Sequence, residues 1–127
     1  MMQRTQGQIE AEISEAMTRF EREYMGRGPT ETRTKLVDDC VLIRLRSVLT
    51  PAETQLVHMD NRVEGRRLVK RMRTELIENA RPLLDTLIAH ITGRDVVSMH
   101  TDISTVTGER IILFILAEAP QFQGHVS

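Results

Sequence analysis

The chain has 127 residues, which corresponds to a single domain at the usual size of roughly 100–200 residues. Its 17 basic and 18 acidic residues give a net charge of −1, so no global field attracts nucleic acid or anionic lipid. One cysteine excludes an intramolecular disulfide framework and a multi-cysteine metal cluster.

The distribution of apolar residues indicates a soluble protein. No apolar run approaches the ~20 residues of a membrane-spanning helix. The N-terminal residues also lack the apolar stretch of a signal peptide. We therefore expect a cytoplasmic protein with one domain over residues 7–118 and loose termini over residues 1–6 and 119–127.

The first predicted element is an amphipathic helix over residues 8–25. Its apolar residues recur at three- and four-residue spacing, and its glutamates, Glu21 among them, are assigned to the polar side. The apolar stripe consists of Ile9, Ile13, Ala16, Met17, Phe20 and Tyr24. Gly26-Arg27-Gly28-Pro29 ends the helix, because glycine adopts the left-handed cap conformation and proline cannot continue a helix.

A β-hairpin and a short helix are predicted next. Residues 30–37 and 40–48 alternate in polarity, as strands with one buried face do. If their charged faces match, four cations lie side by side on one sheet surface: Arg33, Lys35, Arg44 and Arg46. The run Thr50-Pro51-Ala52-Glu53 has the pattern of a helix capping box with proline at the first helical position, which predicts a helix over about residues 51–60.

The second half of the chain predicts a long helix and a second hairpin. Residues 62–92 carry a continuous apolar stripe, and Pro82 predicts either a kink or two abutting helices. The stripe consists of Leu68, Val69, Met72, Leu76, Ala80, Leu83, Leu84, Leu87, Ile88 and Ile91. Residues 96–105 and 110–117 form the predicted hairpin, and the run at 111–116 is apolar on both faces, which indicates a central strand.

The two halves of the chain follow the same pattern. Each has a helix, a glycine-arginine pair (Gly26-Arg27 and Gly93-Arg94) and then two strands, so the element order is αββ–α–αββ. Two halves related by a pseudo-two-fold axis would build one sheet of antiparallel hairpins with helices on one face, an α+β two-layer sandwich. A segment-swapped homodimer satisfies the same pattern, so strand order and oligomeric state stay open.

A polar run at residues 98–109 supplies the first candidate site. Alternation places Ser98, His100 and Asp102 on one face of a strand, but neighbours on one face are about 6–7 Å apart, too far for the contacts of a catalytic triad. We therefore assign no catalytic residue. The face is either a solvated strand surface or an anion or small-ligand site, whose candidate residues are Arg27, Ser98, His100, Thr101, Asp102, Ser104 and Thr105.

Arginines supply the second candidate. The four cations of the first hairpin could join Arg66, Arg67, Lys70 and Arg71 of the long helix in one basic surface, as in proteins that bind phosphates. No base-stacking aromatics accompany these residues, which argues against single-stranded nucleic acid. A solvated or partner-facing surface is the simpler interpretation. The four histidines are scattered, so we predict no metal site and no cofactor.

Four segments in order resemble the MpsC domain family: YMGRGP at 24–29, LTPAE at 49–53, ARP at 80–82 and HTDISTVTGE at 100–109. The resemblance covers residues 7–118. The family is named after a component of a sodium-translocating, membrane-potential-generating system linked to inorganic carbon uptake. The resemblance implies a small cytosolic accessory protein rather than the transporting subunit, and it directs attention to the loops at 26–29 and 101–109.

The sequence thus favours a non-enzymatic accessory or regulatory module. We expect a protein partner, which the resemblance identifies as a subunit of a membrane ion or bicarbonate transport system, and no direct membrane insertion. An anion-sensing regulator is the first alternative. A nucleic-acid binder that uses the arginine-rich surface is the second.

Overall fold

The computed structural model describes residues 4–122 and contains every predicted element in the predicted order. The elements are α1 (Gln6–Phe20), continued by a π-helical turn (Glu21–Met25), β1 (Glu31–Val37), β2 (Cys40–Arg46), α2 (Pro51–Val57), α3 (Arg62–Thr92), β3 (Val96–Ile103) and β4 (Arg110–Leu116). The four strands form one antiparallel sheet in the order β1-β2-β4-β3. The predicted α+β class is confirmed.

The strand order shows that the two halves of the chain share one sheet. Each half contributes one hairpin, and β2 pairs with β4 at the centre of the sheet. The helix before each hairpin ends at a glycine in the left-handed conformation, Gly26 at φ +98° and Gly93 at φ +73°. Glycine adopts this conformation without the steric cost that a Cβ atom imposes.

The core lies between the helices and one face of the sheet. Helix α1 packs on β1, and α3 packs on β3 and α1. The core is almost entirely aliphatic, as the low aromatic content requires, and its central residues include Ile13, Met17, Ile43, Ile77, Leu84, Ile88, Ile112 and Phe114. In the described part of the chain no helix covers the opposite side, which we call the open sheet face.

Both ends of the described chain pack on the domain. Thr5 caps α1, its hydroxyl accepting from Gln8 N while the Gln8 side chain accepts from Thr5 N. Pro120 is buried, and Phe122 packs against the core. The termini that the sequence predicts at 1–6 and 119–127 include these positions, and residues 1–3 and 123–127 lie outside the described residues.

Helix α3 differs from the prediction in two ways. It runs from Arg62 to Thr92 as one element through Pro82, so the alternative of two abutting helices is wrong. Its buried stripe in the first half is also displaced by one residue, because Arg73 and Ile77 are buried whereas the predicted Leu68 and Met72 are each more than 40% exposed. The full buried stripe is Gly65, Val69, Arg73, Ile77, Ala80, Leu84, Ile88, Ile91 and Thr92.

Candidate functional site

Four charged side chains lie buried together at one end of the sheet. They come from four elements: Glu21 from the π-helical turn, Glu53 from α2, Arg73 from α3 and Arg110 from the start of β4. Each is at most 3% exposed, and the two positive charges balance the two negative ones. We call this set the buried charge cluster.

Arg73 is the central donor of the buried charge cluster. Its Nε and Nη2 atoms donate to both carboxylate oxygens of Glu53 at 2.7 and 2.6 Å. Nη1 donates to Glu21 Oε2 at 3.1 Å, and Nη2 also donates to the backbone oxygen of Val48 at 2.6 Å. A bidentate, charge-assisted contact of this kind fixes both distance and orientation, so the segment after β2 and three helical elements are tied to one guanidinium group.

Arg110 is less completely paired. Its Nε lies 3.2 Å from Glu21 Oε1, and its Nη1 donates to the hydroxyl of Thr101 at 3.2 Å. Its Nη2 has no hydrogen-bond partner among the described residues. Since unpaired buried donors cost free energy, Arg110 is the weakest point of the buried charge cluster.

Burial and pairing move the pKa values of the cluster in different directions. Burial raises the pKa of Glu21, and the neighbouring Arg110 and Arg73 offset only part of that rise. Burial would also raise the pKa of Glu53, but hydrogen bonds from Arg73 and Thr50 outweigh it and hold that pKa below its usual value. Burial lowers the pKa of Arg110. Glu21 is therefore the acid of the cluster that protonates most readily.

The sequence interpretation missed the buried charge cluster, although the sequence carries a signal for it. Glu21 follows Met17 by four residues on the α1 stripe, so its assignment to the polar side was wrong. Arg73 follows Val69 by the same spacing on α3, and Arg110 precedes Ile112 on the buried face of β4. The signal is a charged residue that falls at the same spacing as the buried apolar residues of its helix or strand.

A cavity of about 230 Å³ is lined in part by residues that adjoin Glu53 and Val48 in sequence: Thr54, Ser47 and Leu49. It lies between the segment after β2, the end of α2 and the β3–β4 turn. The lining residues are Arg27, Ser47, Leu49, Thr54, Val57, His58, Thr105, Val106, Thr107 and Gly108. We call this the turn cavity. Both loops singled out by the family resemblance reach it, through Arg27 and through residues 105–108.

The structure separates the predicted anion-site residues. Arg27 and Thr105 line the turn cavity, whereas Ser98 and His100 lie on the open sheet face. The separation arises because side chains alternate along β3, while Thr105 follows the strand end and belongs to the turn.

The other three candidate residues have structural contacts. Thr101 points to the helix side, where its hydroxyl meets Arg110. Ser104 Oγ accepts from the backbone of Val106 and Thr107 and shapes the turn, and Asp102 pairs with Lys70 at 3.2 Å. The seven residues do not line one cavity.

A Ser/His/Asp relay is not assembled. His100 Nε2 lies 3.2 Å from Ser98 Oγ, closer than the predicted strand spacing, because side chains can lean along a strand. Asp102 instead accepts from Ile103 N at 2.8 Å and from Lys70. The histidine therefore has no carboxylate orienting it among the described residues.

The open sheet face brings the hairpin cations beside an apolar strip. The strand register sets Arg33 opposite Arg44 and Lys35 opposite Leu42. Leu42 in turn lies opposite Leu113, the middle of an apolar strip on β4. The cations are Arg33, Lys35, Arg44 and Arg46, and the apolar strip consists of Val37, Leu42, Ile111, Leu113 and Ile115.

The predicted single basic surface is two surfaces in the structure. Arg66, Arg67, Lys70 and Arg71 are exposed on α3, in the helix layer, on the other side of the sheet from Arg33 and its neighbours. Two of these helix cations are also paired, Arg67 with Glu64 at 2.6 Å and Lys70 with Asp102. The two groups therefore belong to different layers of the domain.

The described residues, 4–122, contain neither a metal site nor a membrane-spanning helix. No group of three or more histidine, cysteine, aspartate or glutamate side chains is arranged to hold a metal ion. No helix in this part of the chain has the length and apolar character needed to cross a bilayer.

Comparison with known proteins identifies the family. Residues 5–118 match the family described as Na+-translocating membrane potential-generating system (MpsC). The uncharacterized protein YbcI of Bacillus subtilis (strain 168) is 39% identical over 115 residues, which are 91% of this chain and 90% of that protein. No solved structure matches the chain significantly. The chain belongs to the MpsC family.

Proposed function

We propose that this protein is a non-enzymatic accessory subunit of a sodium-translocating system and that it binds an acidic surface of a partner subunit through the open sheet face. The observation that carries the proposal is the uncovered apolar strip on the central strands with cations beside it. The family description supports the assignment to such a system. In this proposal the partner supplies the passage across the membrane.

The apolar strip favours a protein partner over a free solvent surface. Leu42 is 40% exposed and lies opposite Leu113 of β4, and Val37 on β1 is 59% exposed and lies opposite Cys40 of β2. Contiguous exposed apolar surface rimmed by polar residues is typical of protein interaction sites. Burying this strip would contribute the hydrophobic part of the binding free energy.

The surrounding charges favour an acidic partner. Glu31 pairs with Arg33 at 2.6 Å, and Glu109 pairs with Arg44 at 2.6 Å and lies 4.0 Å from Arg46. Lys35 has no ion-pair partner among residues 4–122. The cations outnumber the carboxylates on this half of the face, so acidic side chains of a partner would complement it and speed association.

The test is an affinity purification from nuclease-treated native lysate with membranes solubilised in mild detergent. The bait is the wild-type chain, the double variant R33E/R44E, or the control R66E/R67E, which makes the same charge change in the helix layer. We expect an integral membrane transport subunit at near-stoichiometric amount with wild type and with the control. We expect its loss with R33E/R44E.

Three outcomes would contradict the proposal. One is recovery of the bait alone. Another is equal recovery of the membrane subunit with R33E/R44E, which would place the interface elsewhere. The third is binding of the purified chain to added nucleic acid that weakens steeply with salt, which would favour the nucleic-acid alternative.

A further inference from the structure

We infer that the turn cavity binds a small oxyanion of the phosphate or carboxylate class. The cavity lies at the turn end of the molecule and the inference is independent of the open sheet face. It rests on the kind of groups that converge there, on the absence of carboxylates from its lining, and on its size.

The lining combines two nitrogen donors with hydroxyl groups. Arg27 contributes a guanidinium group whose only hydrogen bond within the described chain is a long one, 3.4 Å from Nη1 to Leu49 O. His58 Nδ1 donates to Thr54 O at 2.7 Å, so Nε2 can donate to a ligand when the ring is in its imidazolium form. An arginine fork matches the geometry of a two-oxygen acceptor.

Hydroxyl groups complete the donor set. Ser47 and Thr105 line the cavity without a side-chain hydrogen bond to any described residue. Thr107 Oγ1 accepts from Glu109 N, which leaves its hydroxyl proton to donate elsewhere. The backbone amides of the turn are already used, since Val106 and Thr107 donate to Ser104 Oγ. Recognition therefore depends on side chains.

The charges of the residues that line the turn cavity favour an anionic ligand. None of the ten described residues around the cavity is acidic, although the whole chain has a net charge of −1. The nearest carboxylate of α2, Glu53, is turned inward and paired with Arg73. A cation would meet Arg27 and no opposing charge, whereas an anion gains charge-assisted hydrogen bonds.

The volume limits the ligand to a small one. Drug-sized and cofactor sites usually enclose roughly 300–1,000 Å³, and the turn cavity has about 230 Å³. A tetrahedral or planar oxyanion with a few bound waters fits this space, but a nucleotide does not. Ser47 also has a left-handed backbone (φ +59°), an arrangement that costs energy and is frequent at ligand sites.

The experiment titrates the full chain with sodium phosphate at constant ionic strength and follows the backbone amide resonances by NMR. We expect saturable shifts at Ser47 and at residues 105–108. The variants R27Q and H58Q should each bind about tenfold more weakly, because each loses a donor to a charged ligand.

A matched control comes from the second half of the chain. Arg94 follows the left-handed Gly93 as Arg27 follows Gly26, but Arg94 interacts with Ala119 O and Glu118 instead of lining the turn cavity. R94Q should therefore bind phosphate as wild type does. Circular dichroism melting would show that every variant is folded.

Two results would overturn the inference: shifts that do not saturate or that sodium chloride reproduces, and saturable binding that R27Q and H58Q leave unchanged. Repeating the titration with acetate separates the two ligand classes, because tighter binding of phosphate or of acetate identifies the class that the cavity prefers. Neither result bears on the partner interface, which the purification experiment tests by itself.

Discussion

Arg73 and Glu53 form a bidentate ion pair, at 2.7 and 2.6 Å, that is buried between α3 and α2. The Glu53 carboxylate also accepts a hydrogen bond from Thr50 N in the capping box at the start of α2. One carboxylate therefore joins the start of one helix to the middle of another. Breaking the pair affects both elements.

Removing Arg73 should be strongly destabilising. The variant R73M keeps much of the side-chain volume but leaves Glu53 and Glu21 buried without their main donor. Breaking a buried pair by deleting one partner typically costs about 3–5 kcal/mol. Urea denaturation would measure the loss. The control R71M changes an exposed arginine two residues earlier and should shift the free energy of unfolding by no more than about 0.5 kcal/mol.

Equal stability losses for R73M and R71M would contradict this account of the buried charge cluster. A different result is expected if both Arg73 and Glu53 are replaced by apolar residues. Because well-packed apolar replacements of a buried ion pair are often neutral or stabilising, R73M/E53L should lose less than the sum of the two single losses.

The contribution of Glu53 to the free energy of unfolding should be lost as the pH becomes acidic. The pKa of Glu53 is lower in the folded chain than its ordinary value of 4.5, so its ionised form stabilises the fold. That contribution is complete well above pH 4.5 and is lost as the pH falls through 4.5 toward the lower folded value. The free energy difference between wild type and E53Q should therefore shrink as the pH falls.

Glu21 should have the opposite effect on the pH dependence of the free energy of unfolding. Its pKa is raised in the folded state, so protonation favours folding and stability falls as the pH rises from 4.5 through the higher folded value. Urea denaturation of wild type, E53Q and E21Q between pH 3 and pH 7 would separate the two contributions. A difference between wild type and E53Q that stays constant over this range would show that Glu53 has no shifted pKa.

Local patterns predicted the elements of this fold well. Thr50 and Glu53 form the predicted capping box, and the first hairpin turns between the predicted strands at 30–37 and 40–48, where Asp38 has a left-handed backbone at φ +54°. These features depend on neighbours along the chain. Alternation and glycine positions were therefore sufficient to place both hairpins.

The candidate site could be predicted only in part, because its residues meet through tertiary packing. The sequence indicates Arg27 and Thr105 in two loops as candidate site residues, and both line the turn cavity. His58 and Ser47 come from segments whose position depends on how α2 folds back against α3. Nothing in their local sequence indicates that contact.

Gly65 should not tolerate a side chain. A Cβ atom at this position of α3 would lie 1.8 Å from the backbone oxygen of Leu56 in α2, which cannot move away as a flexible side chain could. G65A should lower the free energy of unfolding by about 1–3 kcal/mol or more through overpacking. The control G7A, also in a helix, meets nothing within 4 Å and should leave stability unchanged or raise it by up to about 1 kcal/mol.

Thermal unfolding of G65A and G7A would check this contact. If G65A were as stable as wild type, the close approach of α2 to α3 would not exist in solution. The turn cavity would then be in doubt as well, because Val57 and His58 reach it from the end of α2.

Replacing Pro82 by alanine should stabilise the protein. Pro82 is exposed in the interior of α3, where proline removes a backbone donor and clashes with the preceding turn, at a cost of about 3 kcal/mol. Proline recovers part of that cost by restricting the unfolded chain, worth about 0.4–1 kcal/mol. P82A should therefore raise the free energy of unfolding by about 2–2.6 kcal/mol, measured by urea denaturation.

The matched control is Pro51, which occupies the start of α2, where the missing amide proton would be unpaired in any case. P51A should leave stability unchanged or lower it by up to about 1 kcal/mol, since only the restriction of the unfolded chain is lost. A gain from P51A together with a loss from P82A would reverse the expected order. It would mean that the shape Pro82 imposes on α3 is needed for packing against the sheet.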